Sequence, residues 1–119
     1  MKLRFSAPAA ALLAALSAAP GAFAHAVVAD AVPAAGSSVS AAGTPVRLHF
    51  NSRVDHARSK LVLVGPDGAE VPLALEADSP ADGLNAAATP LAPGVWKLRW
   101  QVLSVDGHIT HGEIPFTVK

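Results

Sequence analysis

Apolar residues recur along this chain with a period of two, not with the 3.6-residue period of a helix. Val46-Arg47-Leu48-His49-Phe50 places three apolar side chains on one face and Arg47 and His49 on the other, which predicts a strand with one buried side. From Trp96 to Val102 the same alternation sends Trp96, Leu98 and Trp100 inward and the charged residues outward. Lys60 to Val64, then Gly65-Pro66-Asp67-Gly68, then Ala69 to Leu75 reads as a hairpin, because Pro-Asp-Gly supplies turn dihedrals at little cost. A last strand alternates Ile114, Phe116 and Val118 with Glu113, Pro115 and Thr117. Pro115 is expected at an edge or bulge, since it cannot donate to a ladder.

Val27 to Val32 and Leu84 to Ala88 bring the strand count near seven, which suits an all-β Greek-key sandwich or barrel. The Ala/Gly/Ser stretch from Ala34 to Gly43 is expected to be a loop, and no internal repeat is visible.

The amino terminus follows different rules. Lys2 and Arg4 precede an apolar run from Ala9 to Ala19 that is too short to span roughly 30 Å of hydrocarbon and that stops at Pro20-Gly21. Ala22-Phe23-Ala24 is a small-x-small cleavage site, so residues 1–24 read as a secretory signal and 25–119 as one domain. Nine basic residues balance nine acidic ones, and losing Lys2 and Arg4 leaves a slight acidic excess, so there is no basic footprint for nucleic acid. The chain has no cysteine. That excludes a blue-copper site, which needs a thiolate, and iron–sulfur clusters, which need several.

Cleavage after Ala24 makes His25 the first residue, where its free α-amine and its imidazole Nδ1 can chelate one metal ion in a six-membered ring. Amine, imidazole and carboxylate donors suit Cu(II). The other reading of His25 is a frayed terminus. In the second candidate segment, Ser104-Val105-Asp106-Gly107-His108-Ile109-Thr110-His111, residues two apart in extended backbone share a face, so Asp106 and His108 could offer a carboxylate and an imidazole to one ion. Asp-Gly followed by a polar residue is equally a hairpin turn. His111 reads as polar cover more than as an outer ligand, His49 as a surface residue opposite the strand's apolar face, and His56 as part of a solvated loop among opposite charges. Ser104, Asp106 and His108 contain the residue types of a hydrolytic triad, but without a nucleophile elbow and at a spacing that does not give triad geometry. No phosphate-cradling glycine-rich loop is present.

Taken together, these motifs resemble the CopC-type periplasmic copper-resistance proteins. The resemblance spans the mature region: His25 after Ala-x-Ala, Pro33-Ala34-Ala35-Gly36-Ser37, Leu48-His49-Phe50, Pro93-Gly94-x-Trp96-x-Leu98-x-Trp100, Ser104-Val105-Asp106-Gly107-His108 and Phe116-Thr117-Val118. It implies a seven-stranded Greek-key β-sandwich or barrel, immunoglobulin-like or cupredoxin-like. It also implies one Cu(II) ion held by the amine and imidazole of His25 with Asp106 and His108, and a non-enzymatic role in copper homeostasis or resistance. An inner-membrane copper-transport partner of the CopD type is implied too, and is expected to be a separate protein because the chain ends after its last strand. Two departures stand out. The only methionine is Met1, so the methionine-rich Cu(I) site of some members is missing. Where some members carry a glutamate after the Leu-x-Phe strand this chain has Asn51-Ser52, which leaves the fourth contact to Asp106 or water. A histidine-brace copper monooxygenase and a metal-free β-sandwich interaction module are the alternatives to weigh.

Overall fold

The computed structural model describes residues 26–119, so the expected signal segment, residues 1–24, and His25 lie outside the described residues. Eight strands follow one another: β1 (Val28–Val32), β2 (Ser38–Val39), β3 (Thr44–Phe50), β4 (Lys60–Val64), β5 (Glu70–Leu73), β6 (Gly83–Ala88), β7 (Gly94–Leu103) and β8 (Ile109–Val118). They form a three-stranded sheet in the order β1-β3-β6 and a five-stranded sheet in the order β2-β8-β7-β4-β5. The expected alternation is what drives them together. Val46, Leu48 and Phe50 of β3, with Leu84 and Ala86 of β6, are buried against Leu61 and Leu63 of β4, the even residues Trp96 to Val102 of β7, and Ile114, Phe116 and Val118 of β8. Phe50 meets Trp100 edge-on, with ring centroids 5.4 Å apart, and so ties the two sheets at one point.

The hairpin at residues 65–68 forms as expected: Gly65 and Gly68 close the turn, and Asp67 Oδ1 accepts from Ala69 N at 3.1 Å. Three expectations need correcting. The stretch Ala34 to Gly43 is not all loop, because Ser38–Val39 runs parallel to Thr117 and Val118 and adds an eighth strand. The last strand starts at Ile109, four residues earlier than its alternation suggested, since β7 and β8 pair along ten residues each.

Pro115 is at neither of its expected positions, a sheet edge or a bulge, because β8 lies between β2 and β7 and pairs in regular register there. In an antiparallel ladder a residue's N–H and C=O point to the same side, and the Pro115 carbonyl accepts from Gly36 N at 2.8 Å, away from β7. The missing N–H therefore costs the β7–β8 ladder nothing. The long β7–β8 pairing carries the Ser104–His108 turn out to one end of the sandwich.

Candidate metal centre

The turn at the tip of that hairpin is built by its own sequence. Gly107 N donates to Ser104 O at 2.9 Å, Ser104 N donates to His108 O at 2.9 Å, and Gly107 takes a φ of 93°, a left-handed conformation that glycine adopts without strain. Asp106 then folds back over the turn. Its Oδ1 accepts the Ser104 hydroxyl and the His108 backbone amide, the latter at 3.3 Å, and lies 3.4 Å from His108 Nδ1. The two candidate ligands of this segment are thus brought together, but by a turn and not by extended backbone. The Ser104 hydroxyl, and after it the His108 amide, hold the Asp106 carboxyl below the usual carboxylate range.

Ser104 is only 3% exposed, and its hydroxyl is given to Asp106 and to the His108 carbonyl, 3.1 Å away. It is therefore used up inside the turn and not presented to solvent as a nucleophile, which removes the triad reading.

The chain next to His25 is docked against the same hairpin. Ala26 is 2% exposed, and its carbonyl accepts from Thr110 Oγ1 at 3.1 Å, two residues beyond His108. Val27 is clasped on both sides by Asn51: Val27 N donates to Asn51 Oδ1 at 2.8 Å, and Asn51 N donates to Val27 O at 3.0 Å. The segment that starts at Asn51 also holds the hairpin. Val54 bridges Ser104, Val105 N donates to Arg53 O at 3.3 Å, and Asp55 N donates to Leu103 O at 2.8 Å. One short segment, Asn51 to Asp55, therefore sets the arm that leads from His25 in register with the Asp106–His108 turn. The sequence marked Asn51 only as standing in place of a glutamate and did not single out Thr110, because both act on backbone groups and such a task leaves no motif.

The remaining histidines are placed elsewhere. His111 is exposed on the outer face of the five-stranded sheet, across from Gln101 and on the opposite side from Thr110, which fits polar cover. His49 is on the surface as expected, with Asp30 and Asp82 as partners. His56 is not in a solvated loop. It is half-buried in a 3-10 turn (His56–Arg58), where its Nε2–H is shared between the carbonyls of Pro80, 2.8 Å away, and Gly83, 2.9 Å away. A carbonyl can only accept, so this proton is fixed on Nε2. Among the described residues no group of three or more His, Cys, Asp or Glu side chains is placed to hold a metal ion. Asp106 and His108 supply two donors, an oxygen and a nitrogen, which fit Cu(II) chemistry and need completion from outside that set.

Comparison with known proteins gives a consistent picture. Residues 28–119 match the CopC domain family model. The chain is 34% identical over 116 residues to Copper resistance protein C of Xanthomonas campestris pv. juglandis, covering 91% of each chain. It is 32% identical over 103 residues to Protein YobA of Escherichia coli (strain K12), covering 84% of this chain and 83% of the relative. The crystal structure of CopC from Methylosinus trichosporium OB3b superposes with a TM-score of 0.71 at 34% identity, covering 80% of this chain and 94% of the other.

Proposed function

The chain belongs to the CopC family, and on that premise we propose that it is a periplasmic carrier or buffer that holds a single Cu(II) ion as cargo. In this reading the α-amine and imidazole of His25 chelate the ion, His108 adds a second imidazole, and Asp106 supplies an anionic oxygen. The observation that carries it is the docking of Ala26. Its burial and its bond to Thr110 hold the atom group one peptide link from His25 against the strand that begins next to His108. An unanchored terminus would have to lose far more freedom on binding.

The anionic Asp106 serves two purposes. It partly neutralises the cation, and its bond from Ser104 fixes its orientation before the ion arrives. With Met1 as the only methionine, no thioether set is available for Cu(I), so one Cu(II) ion per chain is the proposed load. The proposed role is binding, and the Ser104 hydroxyl beside the imidazole is engaged inside the turn, which leaves it unavailable as a hydrolytic nucleophile. A membrane copper transporter of the CopD type is the proposed recipient or donor.

The test is a competition titration of the processed chain beside a version with one alanine added ahead of His25. The added residue removes the terminal amine from the chelate ring, and Cu(II) affinity should fall by more than about 100-fold, beyond the 10- to 100-fold that outer partners alone control. Equal affinity for the two would contradict the site. Affinity of the processed chain should also decline on acidification, because the amine and imidazoles must lose protons to bind while Asp106, held low, stays anionic.

A further inference from the structure

The start of β1 is not a regular ladder. Val28 pairs with Phe50 and Asp30 with the adjacent His49, so β1 spends one residue more than β3 over this step, a β-bulge at Ala29. A bulge interrupts ladder hydrogen bonds and turns the strand, and here it lies just past the arm formed by Ala26 and Val27. On one side of it Asn51 clasps Val27. On the other, His49 makes a contact of a different kind. Its Nδ1 lies 3.2 Å from Asp30 Oδ2, and its Nε2 lies 3.0 Å from Asp82 Oδ2 in the segment entering β6. A neutral imidazole has one proton to give, so both bonds exist together only in the imidazolium.

We propose that His49 is a positioning residue for the metal centre: as a cation shared by Asp30 and Asp82 it fastens the bulged start of β1, and so fixes how the His25 arm leaves the sheet. The geometry of this latch stands by itself, and its effect on copper rests on the function proposed above. The latch joins β1 to β3 and, through Asp82, to the segment whose backbone is bonded to Phe50, Val54 and His56. Those residues flank and include the Asn51–Asp55 segment that carries both halves of the site.

The charged groups facing His49 are Asp30 from β1, Asp82 from the loop, and Arg47 on its own strand in the same shallow groove, while β6 contributes only the uncharged Gly83 and Asn85. The two carboxylates, Asp30 foremost, raise the imidazole above its ordinary value. A raised folded value means that the latch contributes fully below the unfolded histidine value of about 6.5 and is lost as pH rises through the folded one. Copper binding runs in the opposite sense, since its nitrogen donors must be deprotonated. Acid therefore empties the site while keeping the arm docked, and reloading needs no reordering of β1.

The experiment compares the processed wild-type chain with His49→Gln and Asp30→Asn. The readouts are the NMR titration of the His49 ring, amide-exchange protection of Val28 to Ala31 across pH without metal, and Cu(II) affinity. In the wild type His49 should titrate above the ordinary histidine range, and this elevation should shrink in Asp30→Asn. β1 protection should fall as pH passes that midpoint, and in His49→Gln it should be roughly two- to five-fold lower in mild acid and flat with pH, the scale set by exposed ion pairs. Below the His49 midpoint the affinity of His49→Gln for Cu(II) should drop by a similar roughly two- to five-fold, a difference that closes above that midpoint, with an unchanged copper EPR spectrum because the ligands remain. Wild-type-like β1 protection in His49→Gln at every pH would overturn the latch. Altered protection with unaltered affinity would overturn its positioning role. A wild type that takes up no Cu(II) would sink the copper reading, while the exchange result would still decide for or against the latch.

Discussion

At the scale of single residues, the proposed site relies on side chains that would not themselves touch the ion. Asp106 and His108 could each be named from their spacing, but their approach to within 3.4 Å depends on Ser104, whose buried hydroxyl caps the carboxylate. Replacing Ser104 by alanine leaves Oδ1 without its strongest partner. Ser104→Ala should weaken Cu(II) binding by roughly 10- to 100-fold, the usual effect of removing an orienting outer partner. It should cost about 1–2 kcal/mol of stability, as the loss of one buried hydrogen bond does. A titration and a denaturant melt on the same variant separate the two effects, and unchanged affinity would mean that the carboxylate needs no support. Serine was weighed in the sequence only as a nucleophile, because residue type shows that a hydroxyl is present and not which way it points.

Among the elements, β3 and β7 were legible because each has one buried and one solvated face, so burial imposes a strict period of two. β2 was not legible. Two residues in an Ala/Gly/Ser stretch carry no periodicity, and Ser38–Val39 becomes a strand only through its partners Thr117 and Val118. The early start of β8 was hidden for a related reason. Ile109, His111 and Glu113 lie on the outer face, and the inner positions are Thr110 and Gly112, which do not register as apolar.

Gly112 has its own role in this strand. It pairs with Trp100, and a Cβ there would lie 2.8 Å from the indole ring. That ring is held edge-on against Phe50, so it has little room to give way. Gly112→Ala should therefore destabilise the domain by about 1–3 kcal/mol, the cost of overpacking a formed core. Thermal unfolding of the metal-free protein reads this directly, and a neutral result would mean that Trp100 can move aside.

For the whole molecule, a cysteine-free domain of this size must take its stability from packing, and both sheets contribute to one core. The fold class followed from the alternation of the strands, and the CopC family membership agrees with it. The relation of the two halves of the site was not readable in the same way. The arm beside His25 and the Asp106–His108 turn are some 80 residues apart in sequence, as the Thr110–Ala26 hydrogen bond shows with its separation of 84. Only the folded sandwich, through Asn51 to Asp55, brings them to one end.

The central claim is that this end holds one Cu(II) ion through the processed amino terminus. It is tested most directly by the copper EPR spectrum of the processed chain, confirmed by mass spectrometry to begin at His25 and loaded with increasing Cu(II). The expected spectrum is a single tetragonal species that saturates at one ion per chain, with amine and imidazole nitrogen couplings, and that is altered in His108→Ala and when a residue is added ahead of His25. The same spectrum in all three proteins, or copper spread over several weak sites in the processed chain, would contradict it.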